Sequence, residues 1–136
     1  MITTFRVWSI KDKTMSNFGK LTIDIGNGNW KYHSDVFSVD NKSGILLLGT
    51  SVFIYTDDAL QRIFEGDVIR VSDSDVVVVI RDKYTSGFRT TPRIKYCDWG
   101  WNETVTDHTD RIEILGNIYQ NEELIYKHEI DMRDGN

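Results

Sequence analysis

Glu65 with Asp67 in "FEGD" and Asp73 with Asp75 in "SDSD" are closely spaced carboxylate pairs. Two carboxyl groups that converge on a pocket divide acid and base roles when their surroundings push their pKa values apart. Asp67 has only Glu65 nearby, across Gly66, and that spacing suits a bend: Gly66 turns the chain, and the Asp67 side chain accepts backbone N–H groups at the entry to a strand. Asp73 and Asp75 read as a hairpin tip, because "DSD" lacks the glycine and distal glutamate of a calcium loop. His33, His108 and His128 are far apart and belong to no HxH or HExxH group. Cys97 has neither a second cysteine for zinc nor the local signature of a nucleophile. "GNGNW", Gly26 to Trp30, begins G-x-G but lacks the third glycine and the helix that would hold a pyrophosphate, so it reads as a hairpin turn. No catalytic residue, cofactor or metal is expected, and the chain reads as a non-enzyme.

Recognition chemistry is better represented. In "YCDWGWNE", Trp99 and Trp101 flank Gly100 beside Asp98 and Glu103, and rings with polar handles suit docking surfaces. Arg89, Arg93 and Lys95 lie just upstream, where their cations would let the two rings stack on bases. Trp99, Trp101, Arg89, Arg93 and Lys95 are therefore the candidate binding residues, against the simpler reading in which the tryptophans complete a core. A net charge of −5 with no basic stripe disfavours broad binding to a phosphate backbone, and leaves only a local patch of Arg81, Lys83, Arg89, Arg93 and Lys95.

The elements that would position these groups are mostly strands. Apolar and polar residues alternate in "KLTIDI" before the Gly26–Asn29 turn, and comparable runs occupy 3–10, 36–39, 45–48, 52–55, 68–72, 76–81, 93–98 and 112–119. The run Val76 to Ile80 needs cover on both faces or a central place in a sheet. "TDDALQRIF", 56–64, carries a capping threonine, two early aspartates and good helix formers, which predicts a helix of about two turns ending near Gly66. "NEELIYKHEI" predicts a short helical turn and then a loose tail. Tyr84 to Pro92, polar and holding the only proline, predicts a mobile loop.

At 136 residues the chain fits one domain able to bury about two-thirds of its unfolded surface. Hydrophobic residues at 40% and charged residues at 27% place it among globular chains. A soft boundary in 56–66 divides it into an N-terminal β region, 1–56, and a small SH3-like β-barrel over 64–125. The single cysteine excludes a disulfide scaffold, and no apolar run approaches the roughly 20 residues of a membrane span. With no signal peptide at the N-terminus, the expectation is a cytoplasmic protein with no membrane partner.

Three separated segments resemble the YopX family of small phage and prophage proteins. "FRVWSIKDKTM", Phe5 to Met15, is similar to the family's FRAW opening and following DK…KM. "RIFEGDVIRV", Arg62 to Val71, is similar to its IYEGDIV, and "IEILGNIYQNEELI", Ile112 to Ile125, to its EVIGNIYENPELL close. The family's TG-LKDKNGK segment is replaced by "YTDDALQRI", and Glu122 stands where the closing motif has proline. The resemblance implies a mostly β fold and an accessory role, with no reaction, cofactor or catalytic residue to carry over. The resulting expectation is a protein-interaction or assembly module whose partner is a host or phage protein or a second copy of itself. The alternative is a nucleic-acid-binding phage regulator.

Overall fold

Backbone hydrogen bonding across strands, rather than within helices, organises this chain. The computed structural model describes residues 5–56, 59–82, 87–94 and 112–135. Among these residues eleven strands run β1 Phe5–Ser9, β2 Thr14–Ser16, β3 Gly19–Ile23, β4 Trp30–Ser34, β5 Ser38–Asp40, β6 Gly44–Thr56, β7 Ala59–Phe64, β8 Asp67–Val71, β9 Asp75–Arg81, β10 Phe88–Thr91 and β11 Ile112–Asn117. One short helix, α1 Glu123–Lys127, and a closing 3-10 turn at Met132–Gly135 follow. All described strand pairings are antiparallel. The chain divides into two compact units, residues 1–48 and 49–136. Among the described residues no helix is long and apolar enough to cross a membrane.

In the first unit, β1 pairs with β2 and with the start of β6, while β3, β4 and β5 form a separate three-stranded sheet. The period of two sends Trp30 and Tyr32 of β4 to one face and Lys31 and His33 to the other. The apolar face meets Val7 and Phe37 in one cluster, with Phe5, Leu21, Val39 and Leu46 around it. Tyr32 is its centre: its ring meets Phe5 edge-on at 6.2 Å, and its hydroxyl shares a 2.8 Å hydrogen bond with Ser16 Oγ. A buried phenol needs such a partner.

In the second unit, β10-β9-β8-β11 form one sheet in that order. β9 lies between two neighbours, and Val77, Val78 and Val79 on its alternating faces are all buried, which meets the requirement set by the valine run. Val68 and Val78 on one face are covered by Leu124, Ile125 and Ile130. No pairing among the described residues joins the two edges of this sheet into a closed barrel.

The middle and closing motifs of the family resemblance meet in this unit. Gly66 takes φ +89°, a left-handed conformation that disfavours any Cβ, and a Cβ there would sit 3.0 Å from Tyr119 Cε2. Ile118 N–H donates to the Gly66 carbonyl at 2.9 Å, and Asn117 pairs with Asp67 across β11 and β8. At Gly116 the register shifts, and a Cβ would collide with the Asn121 side chain. Buried Asn117 holds the turn through its Oδ1, which accepts Tyr119 and Gln120 N–H. Tyr119 itself is half-buried.

Several expectations are corrected. Residues 59–64 form β7, not a helix: Phe53 pairs with Arg62, Ile54 with Gln61 and Leu60 with Tyr55, and Ile63 is fully buried. Propensities worth tenths of a kcal/mol in a segment too short to nucleate yield to pairing with β6. The loop expected over 84–92 contains β10, whose Phe88, Thr90 and Thr91 are buried; Pro92 follows the strand and so interrupts no ladder. The tail after α1 is anchored, with Ile130 buried and Thr91 Oγ1 donating to the Asp131 carbonyl at 2.7 Å. The expected strands 45–48 and 52–55 are one irregular strand, β6, and β2, β4, β7 and β10 lie outside the expected set.

Candidate interaction surface on the three-stranded sheet

Of the five candidate binding residues, Arg89 and Arg93 lie among the described residues. Arg89 on β10 is half-buried and its Nη1 donates to the Thr90 carbonyl at 3.1 Å. Arg93 is exposed beyond the cis Thr91–Pro92 bond. Trp99, Trp101 and Lys95 lie outside the described residues, as do Lys83, Cys97 and His108. Arg81, the first member of the local basic patch, is paired with Glu65 at 3.0 Å.

Asp67 is 2% exposed, and its Oδ2 accepts the Phe64 N–H at 2.8 Å, closing the turn across Glu65 and Gly66. Asp73 and Asp75 sit exposed at the β8–β9 reversal, where Ser72 and Asp73 take positive φ. His33 is exposed and its Nδ1 shares a hydrogen bond of 2.5 Å with Ser38 Oγ. Among the described residues no three His, Cys, Asp or Glu side chains gather where a metal ion would sit. A further cation passed over in sequence is Arg62, whose guanidinium lies 4.2 Å over the Phe53 ring and donates to the Thr50 carbonyl; burial lowers its pKa. The alternation of β7 would have revealed it, had the segment been read as a strand.

Among the described residues, surface depressions and exposed apolar side chains occur around β3-β4-β5. Register places Lys20 beside His33 and Ser38, and Thr22 beside Lys31 and Asp40, so the outer face of this sheet is a polar grid. Two depressions share it. One, of about 410 Å³, is walled by Asp24, Asn27 and Asn29 of one hairpin and Asn41 and Lys42 of the next. The other, of about 330 Å³, runs along His33, Ser38 and Ser43. The walls are fixed by local bonds: Asp24 Oδ1 accepts Gly26 N–H and Asn27 Oδ1 accepts Asn29 N–H, both at 2.9 Å, with Gly28 at φ +75°. This is the hairpin turn that "GNGNW" predicts. Asp40 is held below the ordinary carboxylate range, first by the Lys42 backbone N–H and also by Ser43.

Among the described residues β3 is an edge strand, paired with β4 alone. Asp24 N–H bonds the Asn29 carbonyl, and Asn41 N–H bonds the Trp30 carbonyl on the other side of β4. By alternation, Lys20 and Thr22 turn their backbone groups toward β4, and Gly19, Leu21 and Ile23 turn theirs outward. Around this edge Phe18 is 82% exposed, Ile23 54% and Ile25 97%. An open backbone edge flanked by exposed apolar side chains is what strand addition requires.

Comparison with solved structures finds similarity to the crystal structure of protein EF1440 from Enterococcus faecalis, at 18% identity and a TM-score of 0.48, covering 90% of this chain and 96% of that one. Among curated proteins no relative matches. Residues 4–126 match the YopX protein family, a span that holds all three resembling segments and both motif turns that meet at Gly66. The chain belongs to the YopX family.

Proposed function

We propose that this protein is a phage- or prophage-encoded accessory protein that carries out no reaction of its own and works as an assembly module, in the cytoplasm of the bacterium that carries it. The observation that supports this reading most is the β3 edge: outward backbone groups at Gly19, Leu21 and Ile23 beside exposed Phe18, Ile23 and Ile25, on a sheet whose apolar face is anchored by Tyr32. Backbone pairing supplies affinity in such a contact, and alternate side chains supply selection. The buried carboxylate Asp67 supports the non-catalytic part, since its Oδ2 closes a turn. An SH3-like arrangement of the second unit belongs to the same reading, resting on its antiparallel strands and the Gly66–Asp67 entry to β8.

Affinity capture of the full chain from host and phage-infected lysate, alongside a co-expressed copy with a different tag, tests this reading. A stoichiometric protein partner is expected, and Ile23→Pro, which deletes an outward N–H, lowers its recovery. Trp99→Ala and Trp101→Ala, if folded and still able to retain the partner, would remove the aromatic segment from the contact. A chain that emerges alone and monomeric would overturn the reading.

A further inference from the structure

We infer that the partner at the β3 edge is a second copy of this chain, its β3 added antiparallel about a two-fold axis through Thr22. The inference rests on the assembly reading above and deepens it by naming the occupant. The segment "KLTID", Lys20 to Asp24, is complementary to itself when read backwards: lysine meets aspartate, leucine meets isoleucine and threonine meets threonine.

Backbone parity permits that register. Residues facing outward must oppose one another to exchange hydrogen bonds, and in this arrangement Leu21 opposes Ile23 of the partner subunit, both with N–H and C=O directed across the edge. Lys20 then opposes the partner's Asp24, and Thr22 opposes the partner's Thr22, at non-hydrogen-bonded positions. There the strands approach to about 4.5 Å between Cα atoms and side chains meet most closely. Sliding the strands by two residues in either direction loses both charge pairs. Sliding by four sets Lys20 against its own copy, or Asp24 against its own. Register is thus specified by charge as well as by hydrogen bonding.

The side chains needed are free to act. Lys20, Thr22 and Asp24 are exposed, and Asp24 uses Oδ1 for Gly26 N–H, which leaves Oδ2 for the partner's Lys20. On the opposite face, Leu21 against the partner's Ile23 extends the apolar row of Trp30 and Tyr32 and covers the half-exposed Ile23. Lysine on an edge strand usually keeps other chains away. Here Asp24 on the same face turns that guard into a selector for one partner and one register.

Sedimentation equilibrium on the full chain tests this. The wild type is expected to dimerise. Lys20→Glu alone and Asp24→Lys alone each set like charges across both pairs and weaken dimerisation about tenfold or more. Mixing the two variants sets opposite charges across both pairs and restores a heterodimer, an outcome a merely structural role at either position would not produce. Because Asp24→Lys also removes the acceptor for Gly26 N–H, Thr22→Lys provides a second probe: it leaves that turn intact, sets two ammonium groups across the axis, and weakens dimerisation likewise. A monomeric wild type, or a dimer indifferent to these substitutions and to mixing, overturns the inference. If such a monomer still retains a host or phage protein, the self-pairing falls and the assembly reading stands; if it retains nothing, both fall.

Discussion

The two units place their apolar side chains differently. In residues 49–136 the sheet around β8 and β9 buries Val68, Ile69, Val71, Val77, Val78 and Val79 almost completely, and two motif turns interlock over Gly66. In residues 1–48 one cluster around Tyr32 is buried, and Phe18, Ile23, Ile25 and Val36 remain exposed. Charge divides along the same line. The first unit holds six basic and four acidic side chains, a balance of +2, whereas the second holds ten and seventeen, a balance of −7. A β sheet that has both faces and its turns occupied specifies a fold, and one with an open edge and apolar rim offers a surface. On the assembly reading proposed above, the second unit's sheet holds the fold and the first unit's edge is where association would occur.

Ile69→Ala should break the contrast most severely. Ile69 is fully buried between neighbours on β9 and β11, and removing its side chain there costs about 2–5 kcal/mol, read as a lower midpoint in urea unfolding followed by circular dichroism. A shift below 1 kcal/mol would mean the valine sheet is not the stabilising core. Gly66→Ala should cost less, about 1–3 kcal/mol, since it adds the left-handed penalty to the close approach of Tyr119. Pairing it with Tyr119→Ala separates the two causes. The packing part disappears in the double variant and the backbone part persists.

Much of this architecture is legible from residue order because period two survives in the strands that matter most. Leu21, Ile23 and the valine run announce β3 and β9, and Gly66 with Asp67 announces a turn that the Phe64–Asp67 hydrogen bond realises. What escapes is decided by partners distant in sequence. Ala59, Leu60, Gln61 and Arg62 favour helix individually, and only pairing with 53–56 makes them a strand. Phe88 to Thr91 look like loop until Val78 to Arg81 are set opposite. The candidate surface was half visible. The Gly26–Asn29 turn and the alternation of β3 are local properties, whereas β3 becomes an edge only through the order β3-β4-β5, and the polar grid only through register with Lys31, His33 and Asp40.

Ile25→Ser is the counterpart of Ile69→Ala and carries the smallest expected effect on folding. At 97% exposure Ile25 gains almost nothing from burial in the isolated chain, so the substitution should move unfolding stability by no more than about 0.5 kcal/mol. Its hydrocarbon nevertheless adds to the apolar rim beside β3, along with Phe18 and Ile23, and serine there makes the edge less attractive to another chain. Concentration-dependent sedimentation should therefore show weaker association at unchanged unfolding midpoint. Loss of stability comparable to that of Ile69→Ala would place Ile25 among the fold's supports and erase the distinction between a unit that holds the structure and a unit that offers it.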